Sequence, residues 1–275
     1  MSSLSTLSAL LALRQHHAPT RTVTFDIPED WQQGRTAFGG LIATLAVQAM
    51  RDVAGAGWDP TVRLRALQTS FIGPVDRGPL EVVVQVLREG KHVRQVQALV
   101  QQNGRTAALH LGVFASPRDT VVPALAPAQP AVARALDHSM PMPFVRGVAP
   151  NFLQHFDLRW SEGVFPYSGS DDSWHSRIHL RLRSEPVHPE LLTVLLADMP
   201  PSPVISCFHK PTPSSSVSWE LELRPVTTAG QDGAWWRVDT DVIAAEEGYV
   251  NQVSKLWTPA GELASLGYQV VTVYG

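Results

Sequence analysis

The sequence predicts an α+β protein built from two similar halves, each an apolar helix followed by a run of antiparallel strands. Three observations carry this. A small-residue helix signal from Ala37 to Ala46 precedes β-rich runs from Leu64 to Val75, Leu80 to Arg88, Val93 to Gln101 and Thr106 to Phe114. A second apolar helix signal from Pro189 to Met199 precedes runs from Ser216 to Val226, Ala234 to Ala244, Tyr249 to Trp257 and Glu262 to Val273. Short echoes fall at matching places, Gly73-Pro74-Val75 against Arg224-Pro225-Val226 and Asn103-Gly104 against Ala260-Gly261. A repeat this long means a duplicated domain rather than a solenoid, whose periods are far shorter.

Each element follows from its residues. Leu4, Leu7, Leu10 and Leu11 share one face of a short amphipathic helix. No basic leader precedes that apolar run, so it does not read as a signal peptide. Thr22 to Ile27 reads as a first strand, and Asp26 to Arg35 as a polar connection. At Phe38-Gly39-Gly40 the next helix opens on glycines, which lets backbone N–H groups approach a ligand or lets the helix pack closely on a sheet. Arg94 to Gln101 alternates polar and apolar residues, as an antiparallel strand with one wet face does.

Seven prolines punctuate 116–150, which is long for a loop and reads as a linker. Phe152 to Trp160 and Trp174 to Leu182 read as two strands around a turn. Pro189 suits the first turn of the second helix, and Pro200-Pro201 ends it. The expected division is 1–115 for one half, 116–150 for the linker and 151–275 for the other half.

Composition narrows the functional classes. The chain has 275 residues and a net charge of -3, with no basic stripe, so nucleic acid is not an expected partner. The single cysteine, Cys207, excludes an internal disulfide framework and fits a reducing, cytoplasmic setting. With no His and acid set around it, Cys207 reads as a small buried apolar residue. No stretch reaches the ~20 apolar residues of a membrane span. Ten scattered histidines show no metal-ligand spacing, so no metal or cofactor is expected.

The order of elements, the Phe38-Gly39-Gly40 helix start, the Leu7 to Leu13 segment, Phe71-Ile72-Gly73-Pro74-Val75 and Leu195-Leu196-Ala197-Asp198 together resemble the acyl-CoA thioesterase II family. The resemblance covers nearly the whole chain. It implies a double hotdog, two tandem antiparallel sheets each wrapped around a long central helix. It also implies metal-independent hydrolysis of acyl-CoA, with an Asp, a Thr or Ser and a Gln holding and activating a water. Asp198 matches the first position and Gln269 the last. The hydroxyl falls in Ser214-Ser215-Ser216-Val217-Ser218: Ser216 fits, and a one-residue gap moves it to Ser215. Phe38, Gly39, Gly40 and Ser215 are the expected substrate-binding residues. The chain departs from the pattern in carrying Ser where Thr is commoner, and Leu41 where many members carry Gln.

The chemistry suits these residue types. A partly desolvated carboxylate has the raised pKa of a general base, and a neutral amide and a hydroxyl hold its water without competing for the proton. An acid at a helix C-terminus costs ~0.3–1 kcal/mol, so Asp198 is not there to stabilise its helix. A glutamine on the inward face of a strand needs a partner. The competing reading is a hotdog protein that binds acyl-CoA or an acyl chain without hydrolysing it. A hydratase fits poorly, because no His follows Gly40 or Asp198 at the needed place. Self-association into a homo-oligomer is expected.

Overall fold

The computed structural model describes residues 4–183, 185–226 and 233–274. Three α-helices lie among them: α1 (Leu7–Leu13), α2 (Gly39–Ala54) and α3 (Pro189–Ala197). The strands before α2 are β1 (Gln15–His17), β2 (Thr22–Ile27), β3 (Gln32–Gln33) and β4 (Thr36–Ala37). Next come β5 (Arg63–Phe71), β6 (Gly78–Glu89), β7 (Val93–Gln102) and β8 (Arg105–Ala115), and then β9 (Met140–Pro141), β10 (Phe156–Gly163) and β11 (His175–Leu182). After α3 follow β12 (Ser214–Leu223), β13 (Trp236–Glu246), β14 (Tyr249–Trp257) and β15 (Leu263–Val273).

Apart from the small β3–β4 pair, the strands form one 13-stranded sheet in the order β1-β2-β6-β7-β8-β5-β12-β15-β14-β13-β11-β10-β9. The two tandem runs of strands thus join into one continuous sheet. The halves are stitched by an antiparallel β5–β12 pair, in which Thr69 faces Trp219 and Leu67 faces Leu221. Read outward from that seam, the two arms have the same plan. The strand after the helix is followed by the fourth, third and second strands of its run, and then by the strand before the helix.

The two central helices differ. α2 has 16 residues and buries an unbroken stretch from Gly40 to Val47. α3 has nine, so the second helix is not long. It stops at Ala197 rather than Met199 because the residue before a proline is pushed out of the helical region, and Pro200 follows Met199. α3 is apolar nearly all round and is buried accordingly. Glu190 near its start is the exception. Its carboxylate takes two bonds from Arg51 in the last turn of α2, at 2.8 and 2.5 Å, and a third from the Leu64 backbone N–H at 2.8 Å. The same Arg51 guanidinium lies over the Phe114 ring at 4.8 Å. One buried ion pair therefore clamps the end of one helix to the start of the other.

Strand ends shift for physical reasons. Gly73-Pro74-Val75 and Arg224-Pro225-Val226, read as strand ends, leave the sheet, where proline has no N–H to donate. Asn151–His155 is a 3-10 turn rather than strand, and β10 begins at Phe156. The hairpin at Asn103-Gly104 is a two-residue turn with φ of 52° and 72°, the left-handed pair such a hairpin needs. In α1, Leu7 and Leu10 are buried, while Leu4 stays exposed. Residues 116–150 are mostly exposed and irregular, apart from a 3-10 turn at Leu136–His138 and the short β9, which pairs with β10.

Candidate active site

Asp198 caps the C-terminus of α3, where a carboxylate is electrostatically out of place. The packing of the helices resolves this, because the side chain reaches across to the start of α2. A Cβ added to Gly39 would stand 2.9 Å from Asp198 Oδ2, and one added to Gly40 would stand 3.1 Å from Asp198 Cβ. The carboxylate thus sits at the positive end of the 16-residue helix, where Phe38 at the cap position offers no side-chain bond. The glycine pair makes the approach possible. Gly40 is also pressed by the Phe38 ring, whose Cζ would lie 2.5 Å from an added Cβ.

The sheet supplies the remaining groups. Gln269 on β15 donates from Nε2 to Asp198 Oδ1 at 3.0 Å and to Ser216 Oγ at 2.8 Å. Both of its amide protons are therefore used. Its carbonyl accepts from Gln252 Nε2 on the neighbouring β14 at 2.6 Å. Burial pushes the Asp198 carboxyl up to about 7, while the Gln269 amide and the Gly40 backbone N–H pull it back. As a whole residue Asp198 is half-buried, so a path from solvent remains, while protein atoms crowd its carboxylate.

A β-bulge aims Ser216. Along β12, Trp219, Leu221 and Leu223 are buried, and strict alternation would carry Val217 and Ser215 onto that inner face. Instead, Ser216 pairs with Val271 and Ser218 with Val270, leaving Val217 as the extra residue. That single insertion turns Ser216 inward beside Gln269. Ser215 stands apart: it is exposed, and its hydroxyl bonds only the Ser216 carbonyl.

The structure brings Asp198, Ser216, Gln269, Gly39 and Gly40 together. Phe38, also expected to bind substrate, is buried, stacked on Phe152 at 4.2 Å, and backs the helix start. Leu41 is fully buried. Cys207 is half-buried rather than buried. Sequence reasoning missed two polar residues on the same face. One is Gln252, directly opposite Gln269 in the ladder. The other is His110 on β8, whose Nδ1 lies 3.0 Å from Thr69 Oγ1 and whose pKa burial lowers to about 3. Ladder partners run His110, Thr69, Trp219, Gln269 and Gln252 in one row across the seam. Polar residues within buried strands were the available signal, but it takes the register to line them up.

A groove of about 690 Å³ also crosses the seam. Most of its lining residues, among them Ser70, Ser218, Tyr268 and Val270, alternate with that row and point to the other face of the sheet, while Thr69, Trp219, Gln252 and Gln269 of the row also border it and Asp198 does not. It therefore lies behind the cluster and does not open onto the carboxylate. Among the described residues, no three His, Cys, Asp or Glu side chains gather as a metal site. No described helix is long and apolar enough to cross a membrane.

Comparison with known proteins decides the family. The family model for the acyl-CoA thioesterase N-terminal domain matches residues 27–115, and the model for the C-terminal domain matches residues 126–273. The chain belongs to the acyl-CoA thioesterase family. Solved structures carry the fold of this thioesterase-family chain at low identity. A conserved hot dog protein of unknown function from Alicyclobacillus acidocaldarius superposes with a TM-score of 0.81 at 16% identity, covering 99% of each chain. A tesB protein from Mycobacterium avium subs paratuberculosis gives 0.74 at 16%, covering 100% of each. The acyl-CoA thioesterase II TesB2 of Mycobacterium marinum gives 0.70 at 17%, covering 98% of each. No curated protein matches the chain. The fold of this family member is thus a hot dog fold, mostly antiparallel sheet with few helices.

Proposed function

We propose that the protein hydrolyses acyl-CoA thioesters to a free acid and coenzyme A, with Asp198 as general base. The observation that carries this reading is the placement of one carboxylate. It is raised to about 7, set at the start of α2, and held through Oδ1 by an amide that also holds Ser216. Gln269 holds Asp198 and Ser216 in place, and the Ser216 hydroxyl orients a water beside Asp198, which takes its proton as the oxygen attacks the thioester carbonyl carbon. The oxyanion faces backbone N–H groups at the start of α2. The C–S bond then breaks, and the departing thiolate recovers the proton from Asp198. The step needs no metal.

The mirrored strand order about the β5–β12 seam supports a double hotdog in which each arm is one repeat, with boundaries at 1–115, 116–150 and 151–275. We place the chain in the cytoplasm as a homo-oligomer; light scattering on the purified protein tests the association.

The deciding experiment is thiol release from acyl-CoAs of short to long, straight and branched chains by the parent and by Asp198→Asn. Turnover by the parent and its loss in the variant are expected. Tight acyl-CoA binding with no turnover across the panel would replace this reading with a non-hydrolytic binding protein.

A further inference from the structure

We propose that Gln252 is a positioning residue, which fixes the end of the Gln269 amide that faces Asp198. The inference rests on the reading of Asp198 as the base, and its argument is geometric. A glutamine amide has two nearly isosteric orientations, and only one presents donors to the Asp198–Ser216 side. With the carbonyl turned that way, an acceptor would face the ionised carboxylate at 3.0 Å, and nothing would hold the base in its charged form. What selects the productive orientation is the other end of the amide. Gln269 Oε1 receives Gln252 Nε2 at 2.6 Å, the shortest bond of the cluster.

Gln252 is suited to this. It is only 7% exposed, and it lies directly across the β14–β15 ladder from Gln269. Its own carbonyl oxygen is buried and has no hydrogen-bond partner among the described residues. A buried orphan acceptor is costly, so Gln252 is not there for its own satisfaction; the bond it donates is its contribution. The relay runs Gln252 to Gln269 to Asp198 and Ser216, each member donating towards the carboxylate. Burial raises the Asp198 carboxyl and the Gln269 amide and the Gly40 N–H lower it, with no charged side chain among these causes. Loss of amide orientation must therefore show in the titration of Asp198.

The test is Gln252→Met, which keeps size and removes the donor. Two readouts are taken: kcat against pH with an acyl-CoA, and the Asp198 carboxyl titration followed by 13C NMR and assigned with Asp198→Asn. We expect kcat to fall about 10-fold with little change in KM. Both midpoints should move upward by at least half a pH unit. In a Gln269→Leu background the same substitution should add nothing, because Gln252 acts through Gln269. If Gln252→Met does not fold, Gln252→Asn, too short to reach Gln269, takes its place with the same expected shift. An unchanged Asp198 midpoint in the folded variant, or a full additive effect in the Gln269→Leu background, overturns the proposal. The NMR readout needs no turnover, so hydrolysis that survives in Asp198→Asn would remove the general-base reading while leaving the amide assignment to stand or fall alone.

Discussion

Gly39 and Asp198 are in contact across two helices: any side chain at residue 39 would begin 2.9 Å from the Asp198 carboxylate oxygen and 3.1 Å from Phe71 Cζ. Gly39→Ala should therefore displace the carboxylate without opening the core. A misplacement near 1 Å costs on the order of 10²-fold in rate. We expect that loss in thiol release, with far-UV circular dichroism unchanged. Full activity in Gly39→Ala would detach Asp198 from the chemistry.

Asp198→Asn should separate activity from stability. The folded-state pKa is raised from 3.8 to about 7, so the stability this group contributes is complete below pH 4 and is lost as pH rises through about 7. Between pH 5 and 8 the parent gives up roughly 2 kcal/mol from this residue, and the neutral variant does not. The variant should already melt above the parent at pH 5, where the parent has given up roughly 1.5 kcal/mol, and the gap should widen by roughly 4–8 °C by pH 8, while thioester hydrolysis falls by at least about 10²-fold. Parent activity should rise with pH through about 7. Differential scanning calorimetry at the two pH values checks the stability claim; equal melting at pH 8 would contradict it.

His110 should act in the opposite sense. Burial lowers its pKa from 6.5 to about 3, so its contribution is present above pH 6.5 and is lost as the unfolded chain takes up a proton below it. Acidifying from pH 7.5 to 5 should cost about 2 kcal/mol through this residue. In His110→Gln that increment should vanish from the urea midpoints. Parallel losses in parent and variant would show that another group carries the acid sensitivity.

The Arg51–Glu190 pair joins the helices. Glu190 is the buried member, and Arg51 keeps 23% of its side chain exposed, so removing the arginine strands a buried carboxylate, at a cost of roughly 3–5 kcal/mol. Arg51→Met should lower Tm by about 6–15 °C. A shift under 2 °C by thermal denaturation would mean that the clamp is replaceable by water.

Legibility differed by element. The strand from Arg94 to Gln101 and the turn at Asn103-Gly104 were readable because alternation and left-handed turn residues are local signals. Asp198 and Gln269 came from the family resemblance, supported by the oddity of an acid ending an apolar helix. The choice between Ser215 and Ser216 stayed open, since the bulge at Val217 reverses which residues face inward, and a bulge depends on the partner strand as well as its own. The β5–β12 union escaped notice for a related reason: a strand edge reads the same whether it meets water or another strand. Gln252 looked like an ordinary strand glutamine until the ladder set it opposite Gln269.

The β5–β12 seam carries one more implication. When two identical subunits share a sheet, every mutation occurs on both sides of the shared edge, and neither side can change alone. Here a single chain supplies both arms, so that constraint is lifted. The row across the seam records the freedom: histidine and threonine on one side, two glutamines on the other. Covalent continuity has made left and right independently evolvable.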